Sequence, residues 1–276
     1  MKKLLKHGVL LLATALVLEA SFVQAFNSGT HIYIAERVFP SCSDKINLDY
    51  GSIAPDLALY VASPGKWPTA FADTHYAYID LRRYAWTSDQ RAFAKGWLTH
   101  NEDWGADYYA HIEYPPGNGV GYVVGKAEIL SSGTGINPEF AHFVIEVAID
   151  LLLKWNDDSG LGKKLLEANL LRCLEDRSLL TWVLVLKEKR TDWITLVSTE
   201  LTFRNLVGEY AMAFSLPWPF DKGALIELGV QLAKEIYGKD FSYNEVEMIL
   251  ETAIGLCESD YKAAIDDAIN GTKSHL

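Results

Sequence analysis

Histidines with acidic neighbours are the residues of this chain best suited to chemistry. The chain has seven histidines, and five of them lie between residues 26 and 150: His31, His75, His100, His111 and His142. Imidazole nitrogens and carboxylate oxygens are common protein ligands of zinc, and a zinc site can be built from them without cysteine. If the fold brings these side chains together, they form a site for divalent metal ions.

The segment GWLTHNEDWGADYYAH carries two of these histidines at helical spacing. At about 100° per residue, His100, Asp103, Asp107 and His111 fall within a stripe roughly 80° wide. A single helix over 89–112 would therefore present two imidazoles and at least one carboxylate on one face. Helices of a bundle can hold metal ions in this way.

A second segment, EFAHFVIEVAIDLLLKW after Pro138, is apolar on all sides, which predicts a buried helix. His142 and Glu146 lie four residues apart on it, one above the other. An unpaired buried carboxylate is costly unless it is neutralised or finds a cation. A metal ion bound by both side chains removes this cost. A buried salt bridge or an exposed helix face is the structural alternative.

Three single residues complete the set. Asp56 follows a proline in GSIAPDLALY, His75 has Asp73 and Thr74 as local hydrogen-bonding partners, and His31 lies one turn inside the first helix after residue 25. Each of them alone is typical of a turn, a cap or a buried structural residue. Their order along the chain is what indicates function.

Residues 1–25 have the features of a secretory signal. A positive start with three lysines precedes an apolar run from Gly8 that only Glu19 interrupts, and Val23-Gln24-Ala25 supplies small residues where a signal peptidase cleaves. We expect cleavage after Ala25 and a secreted or periplasmic product. The alternative is an uncleaved membrane anchor, although Glu19 shortens the apolar stretch.

Composition excludes several classes of protein. The chain has 276 residues, 25 Lys+Arg against 36 Asp+Glu and a formal charge of −11. Without a basic run it has no electrostatic footprint for duplex DNA. Its three cysteines lie far apart without a CxxC pair, which excludes a cysteine-ligated zinc finger and a dense disulfide framework.

Helical patterns dominate residues 26–276, and strand signals are scarce. Asn27 and Ser28 can cap a first helix that ends before Pro40. Further helices are predicted over 72–84, 89–112, from Pro138 to about 155, 160–175, 178–190, 193–213, 222–237 and 243–270, with a loop over PPGNGVGYVVG at 115–125. We therefore expect one all-α domain of many helices.

The order of the candidate residues resembles the zinc-dependent phospholipase C family. In this chain the order is an N-terminal aromatic residue, a His five residues later, an isolated Asp, an isolated His, a segment with His, Asp and His, and a final HxxxE. The fungal single-strand-specific zinc nucleases share this plan. The resemblance covers roughly residues 26–150, and the later helices match only in kind and total length.

The resemblance implies an all-α fold with three zinc ions that hydrolyse phosphodiesters. Asp56, His75 and His100 would hold one zinc, and a nearby Asp would bridge it to a second. The second would be completed by His31 and by the free amine and carbonyl of Phe26. The third would be held by His111, His142 and Glu146. Asp56 would also orient or deprotonate the attacking water.

Two departures from the family pattern concern these assignments. The family usually begins with Trp, where this chain would begin with Phe26. The bridging Asp commonly follows the first His of its helix by four residues, a position that Trp104 occupies here. Asp103 and Asp107 flank it. We favour Asp107, which stacks four residues before His111 and lies nearest the centre of the stripe.

The expected activity is hydrolysis of a phospholipid head group, with peripheral contact to a membrane allowed. Aromatic residues around the predicted site could stack bases or receive a choline group, or they could be core: Trp67, Phe71, Tyr76, Trp97, Trp104, Tyr108 and Tyr109. The negative charge disfavours a polyanionic strand. The alternatives are a single-strand-specific nuclease, a non-catalytic exported zinc protein, and a membrane-bound interaction protein that keeps its signal.

Overall fold

A computed structural model describes residues 27–276, apart from the side chains of residues 236 and 237, and this part of the chain is helical without strands. The α-helices are α1 Ser28–Val38, α2 Lys45–Ile53, α3 Ala70–His75, α4 Ser88–Thr99, α5 Tyr122–Thr134, α6 Pro138–Asn156, α7 Leu161–Leu171, α8 Leu174–Leu180, α9 Trp193–Ser215, α10 Phe220–Tyr237, α11 Tyr243–Cys257 and α12 Tyr261–Ser274. Short 3-10 helices cover Ala54–Tyr60, Pro64–Lys66 and Leu81–Tyr84, and π-helices cover Tyr108–Ile112 and Thr181–Lys187. The all-α prediction is confirmed.

Several predicted helices have different bounds in the structure. The segment 72–84 contains α3 and a separate 3-10 turn, and 243–270 divides into α11 and α12. The loop predicted over 115–125 gives way to α5 at Tyr122, and α2 was not predicted. The first helix agrees with expectation: the side chain of Asn27 accepts from the backbone N–H of Ser28, and α1 ends at Val38.

Residues 1–26 lie outside the described part of the chain, and with them the predicted signal, its cleavage site and Phe26. Among the helices of residues 27–276, none has the length and apolar character that crossing a bilayer requires.

Helix α6 forms the centre of the fold, as its apolar pattern predicts. Almost every residue from Phe140 to Lys154 is buried, and α6 packs against α1, α5, α7, α10, α11 and α12. Each fully buried large apolar side chain contributes about 1.5–3 kcal/mol. Polar residues on such a helix therefore stand out, and they are His142, Glu146, Asp150 and Lys154.

Asp150 fixes the start of α1 against α6. Its carboxylate accepts from the backbone N–H groups of Gly29 at 3.0 Å and Thr30 at 2.7 Å, and from the Tyr210 hydroxyl at 2.9 Å. These bonds satisfy donors that the first turn of a helix leaves unpaired. They set the position of α1, which carries His31, relative to the helix that carries His142 and Glu146.

Helices α2 and α4 approach closely because glycines face each other. A Cβ atom at Gly51 would lie 2.1 Å from the Phe93 carbonyl oxygen, and one at Gly96 would lie 2.0 Å from that of Leu48. Neither distance is compatible with a side chain. The contact brings the end of α4, where His100 lies, next to the end of α2.

Candidate metal centre

Asp56, His75 and His100 meet at one buried point. Asp56 lies in the 3-10 turn after α2, His75 ends α3, and His100 follows the last residue of α4. Oδ1 of Asp56 is 3.3 Å from Nε2 of His100 and 3.5 Å from Nε2 of His75. Three helical segments thus place possible ligand atoms side by side, although the first and the last of these residues are more than forty positions apart in the sequence.

Asp107 lies between this point and His31. One oxygen, Oδ1, is 3.5 Å from Nε2 of His31, and the other, Oδ2, is 3.2 Å from Nε2 of His100 and 3.8 Å from that of His75. Asp107 is fully buried. A carboxylate that faces imidazoles with both oxygens is placed to bridge two cations.

Asp103, the other candidate for this position, lies elsewhere. It is exposed, and its Oδ2 accepts from the backbone N–H of Ala77 at 2.8 Å. Of the two acids that the sequence leaves open, only Asp107 contacts the histidines.

The single helix predicted over 89–112 is wrong. Helix α4 ends at Thr99, and the Asn101 side chain then accepts from the N–H groups of Asp103, Trp104 and Gly105 at 2.9–3.2 Å. This Asx-type turn competes with continued helix. The chain resumes as the π-helix Tyr108–Ile112. The turn, and not a common helix face, directs Asp107 back towards His100.

His111, His142 and Glu146 form a second group. Nε2 of His142 lies 3.0 Å from Oε1 of Glu146, and the ring centroids of the two histidines are 5.3 Å apart. Suitable ligand atoms of the three residues all lie within 4.8 Å of one another. The same holds for His31, Asp56 and His100, and for His75, His100 and Asp107. Residues 27–276 therefore contain groups that could hold metal ions.

Hydrogen bonds to Nδ1 set the orientation of two imidazoles. Nδ1 of His100 donates to the Ser52 carbonyl at 2.7 Å, and Nδ1 of His75 lies 2.7 Å from the Thr74 hydroxyl. With the proton on Nδ1, the lone pair is on Nε2, the atom directed at the acids. Thr74 is the local partner that the sequence predicts.

Other partners differ from expectation. Asp73 accepts hydrogen bonds from the Trp67 indole at 2.9 Å and from the Tyr78 hydroxyl at 2.8 Å, and these residues, rather than His75, are its partners. Glu102, which sequence reasoning missed, lies 3.0 Å from Nδ1 of His111. Its position in the unpredicted turn is the reason, because helical spacing places Glu102 away from His111.

The ligand atoms are buried without hydrogen bonds of their own. Nε2 of His75 and His100, both oxygens of Asp107 and both oxygens of Glu146 have no hydrogen-bonding partner within residues 27–276. Buried polar groups are otherwise nearly always satisfied. A cation at these points would meet that need, which makes the residues fit a metal ion.

Burial and mutual charge shift the pKa values across the site. Burial raises the pKa values of Asp107 and Glu146 well above their usual range, and it lowers those of His31 and His75. Burial alone would lower the pKa of His100, but the neighbouring carboxylates, Asp107 first, outweigh it and raise this pKa to about 9. Perturbed titration of several clustered groups is typical of functional sites.

Comparison with protein-family models, with curated proteins and with solved structures finds no match for this chain. The interpretation of the site therefore depends on its geometry and on the chemistry of its donors.

Proposed function

We propose that the protein is an exported zinc-dependent phosphodiester hydrolase that acts on phospholipid head groups. The observation that supports this most is the convergence of five histidines and three acids, from six helical segments, into neighbouring buried groups. Burial raises the pKa of Glu146, and the nearby charges of Asp56, Asp150 and Asp107 raise it further, because the groups lie close together.

The donor set favours zinc. Each group combines imidazole nitrogen with carboxylate oxygen and lacks thiolate, the combination typical of catalytic rather than structural zinc sites. Asp56, His75 and His100 would hold one ion, His31 and the amine and carbonyl of Phe26 a second that Asp107 bridges to the first, and His111, His142 and Glu146 a third. Three protein donors at the third ion would leave a position for water or substrate.

Zinc, when bound, supplies water with a pKa near ~7 and positive charge beside the phosphoryl oxygens. Asp56 would orient the attacking water. Burial alone would raise its pKa, but His100 and His75 outweigh burial and keep the pKa below its ordinary value. Asp56 therefore stays ionised at neutral pH and accepts a hydrogen bond from the attacking water.

Surface composition near the site supports a lipid substrate. Trp182, Leu186, Trp193 and Ile194 are exposed, with Lys187 and Lys189 between them. Arg190 of the same segment lies 3.5 Å from Asp73, two residues before His75. Apolar side chains interleaved with lysine suit the boundary between head groups and acyl chains. The chain's charge of −11 disfavours a nucleic acid strand by comparison.

The predicted aromatic cluster divides between core and surface. Trp67 and Trp97 are buried in the core, and Phe71 stacks on His75 at 4.0 Å between ring centroids. Tyr76 is exposed, and Trp104, Tyr108 and Tyr109 are half-buried. The half-buried and exposed rings are the ones that could meet a substrate.

The test combines metal analysis with activity assays. Purified protein, with and without chelator, is assayed on phosphatidylcholine and on single-stranded DNA. Zinc-dependent hydrolysis of the lipid is the expected result. Zinc-dependent cleavage of DNA alone would establish the nuclease alternative, and bound zinc without either activity would establish a non-catalytic protein. Mass spectrometry of the exported N-terminus tests cleavage after Ala25.

A further inference from the structure

Glu102 contacts residues of both metal-binding groups. Its backbone N–H donates to the His75 carbonyl at 2.7 Å, and its Oε1 lies 3.0 Å from Nδ1 of His111. Its side chain is almost fully buried, with 9% of its surface exposed. Because the contact with Glu102 engages Nδ1 of His111, the other ring nitrogen, Nε2, stays available for a metal ion.

We propose that Glu102 is a positioning residue that orients the His111 imidazole and fixes the group of His111, His142 and Glu146 relative to His75. Accepting from Nδ1 holds the proton there and leaves Nε2 as the nitrogen that can bind a metal ion. A carboxylate partner also makes the imidazole a stronger ligand. Because the Glu102 backbone N–H also donates to the His75 carbonyl, this residue connects the His111 group to the group that contains His75.

The adjacent acid provides a matched control. Asp103 belongs to the same turn and also braces it, through the Ala77 backbone N–H at 2.8 Å, but it has no described contact with an imidazole. If Glu102 only braced the turn, removal of either carboxylate would have similar effects. If Glu102 orients His111, only its removal weakens one metal group.

The experiment measures zinc binding, because this inference depends on the proposed metal-dependent function. Wild type, E102Q, E102A and D103N are loaded with zinc and titrated with a colorimetric chelator, which resolves successive release steps. For E102A we expect one zinc ion to bind about 10–100-fold more weakly, the usual effect of losing such a partner. E102Q should show a smaller loss, since its amide oxygen still accepts from Nδ1–H. D103N should match wild type.

Several results would overturn the inference. The inference would be wrong if E102A released zinc with the same profile as wild type. It would also be wrong if D103N lost as much zinc affinity as E102A, or if E102A bound every zinc ion more weakly by the same factor. If E102A does not fold, E102Q keeps the side-chain length and carries the same comparison. Wild type that binds no zinc at all would instead reject the proposed function itself, so the two failures are distinguishable.

Discussion

At the scale of single residues, Asp107 is the link between the candidate metal positions. Its two oxygens face His31 on one side and His75 and His100 on the other, at 3.2–3.8 Å. Asp56 also faces His75 and His100, but through the single oxygen Oδ1, whereas Asp107 uses both of its oxygens. The function of the site should depend on it more than on any supporting residue.

We expect D107N to abolish hydrolysis and to reduce the number of bound zinc ions. An amide has one acceptor oxygen and no charge, so it cannot bridge two cations. The loss should exceed the ~10–100-fold typical of a supporting residue. Zinc content and initial rates of D107N are compared with those of D103N. Full zinc content and activity in D107N would contradict the bridging role.

Asp176 allows a test of burial away from the metal centre. Burial raises its pKa to about 8, and both of its oxygens lack hydrogen-bonding partners within residues 27–276. Between about pH 4 and pH 8 the folded protein therefore keeps a proton that the unfolded chain has lost. Stability from this group is present below the unfolded pKa and is lost as pH rises through about 8.

D176N should remove this contribution to the pH dependence of stability. Asparagine is neutral at every pH, so D176N should gain stability relative to wild type as pH rises from 5 to 8, by at most about 1.4 kcal/mol per pH unit. Urea unfolding at both pH values measures the difference. A constant difference between variant and wild type would show that Asp176 does not hold the proton.

At the scale of elements, the junction of α2 and α4 positions His100. The Gly51 and Gly96 backbones meet there, and Nδ1 of His100 donates to Ser52, the neighbour of Gly51. A change in the spacing of these helices would therefore move a candidate metal ligand as well as core side chains.

We expect G51A to destabilise the protein by about 1–3 kcal/mol or more, because its Cβ would meet backbone rather than a flexible side chain. G133A on α5 is the control. Apart from its chain neighbours and the backbone of its own helix, nothing lies within 4 Å of the position its Cβ would take, so alanine should stabilise the helix by about 0.5–1 kcal/mol. Denaturant unfolding compares the two. Equal stability changes would argue against the close approach.

Sequence patterns predicted the helices that have a periodic apolar face or a capping residue at their start. The apolar pattern of α6 and the Asn27 cap of α1 both gave the observed helices. Helix α2 was missed because its polar residues Asn47 and Asp49 are buried by tertiary contacts that no periodicity records. The turn at Asn101 was missed because the helical spacing of His100 and Asp107 continues across it.

The predicted histidines and acids within residues 27–276 do come together, although not along the predicted helix, and Phe26 lies outside the described residues. His100, Asp107 and His111 converge through a turn and a π-helix, not along one helix. Positioning partners such as Ser52 and Glu102 depend on contacts between distant helix ends. Such contacts have no signature in sequence spacing, so the sequence indicated the candidate ligands but not the residues that hydrogen-bond to them.

At the scale of the whole molecule, metal binding and folding should be coupled. The candidate ligands are buried together with carboxylates whose pKa values burial raises, so the metal-free fold contains costly groups at its centre. An ion that binds only the folded state stabilises it by mass action. Much of the stability under physiological conditions is therefore expected to come from zinc.

Chelation should lower the melting temperature by about 10 °C. A zinc concentration a thousandfold above Kd contributes about 4 kcal/mol, and a domain of this size shifts by about 2–4 °C per kcal/mol. Calorimetry with excess zinc and with chelator measures this shift, and magnesium in place of zinc is the control. Identical melting temperatures with zinc and with chelator would contradict the coupling.

The clamp of Asp150 on Gly29 and Thr30 has a consequence for biosynthesis. The ribosome synthesises the candidate ligand His31 long before α6, yet α1 is anchored only when α6 has emerged. The early histidines therefore cannot take their folded positions until at least residue 150 has been synthesised. Nascent chains shorter than this should capture no metal tightly, so the centre matures late in translation or after it.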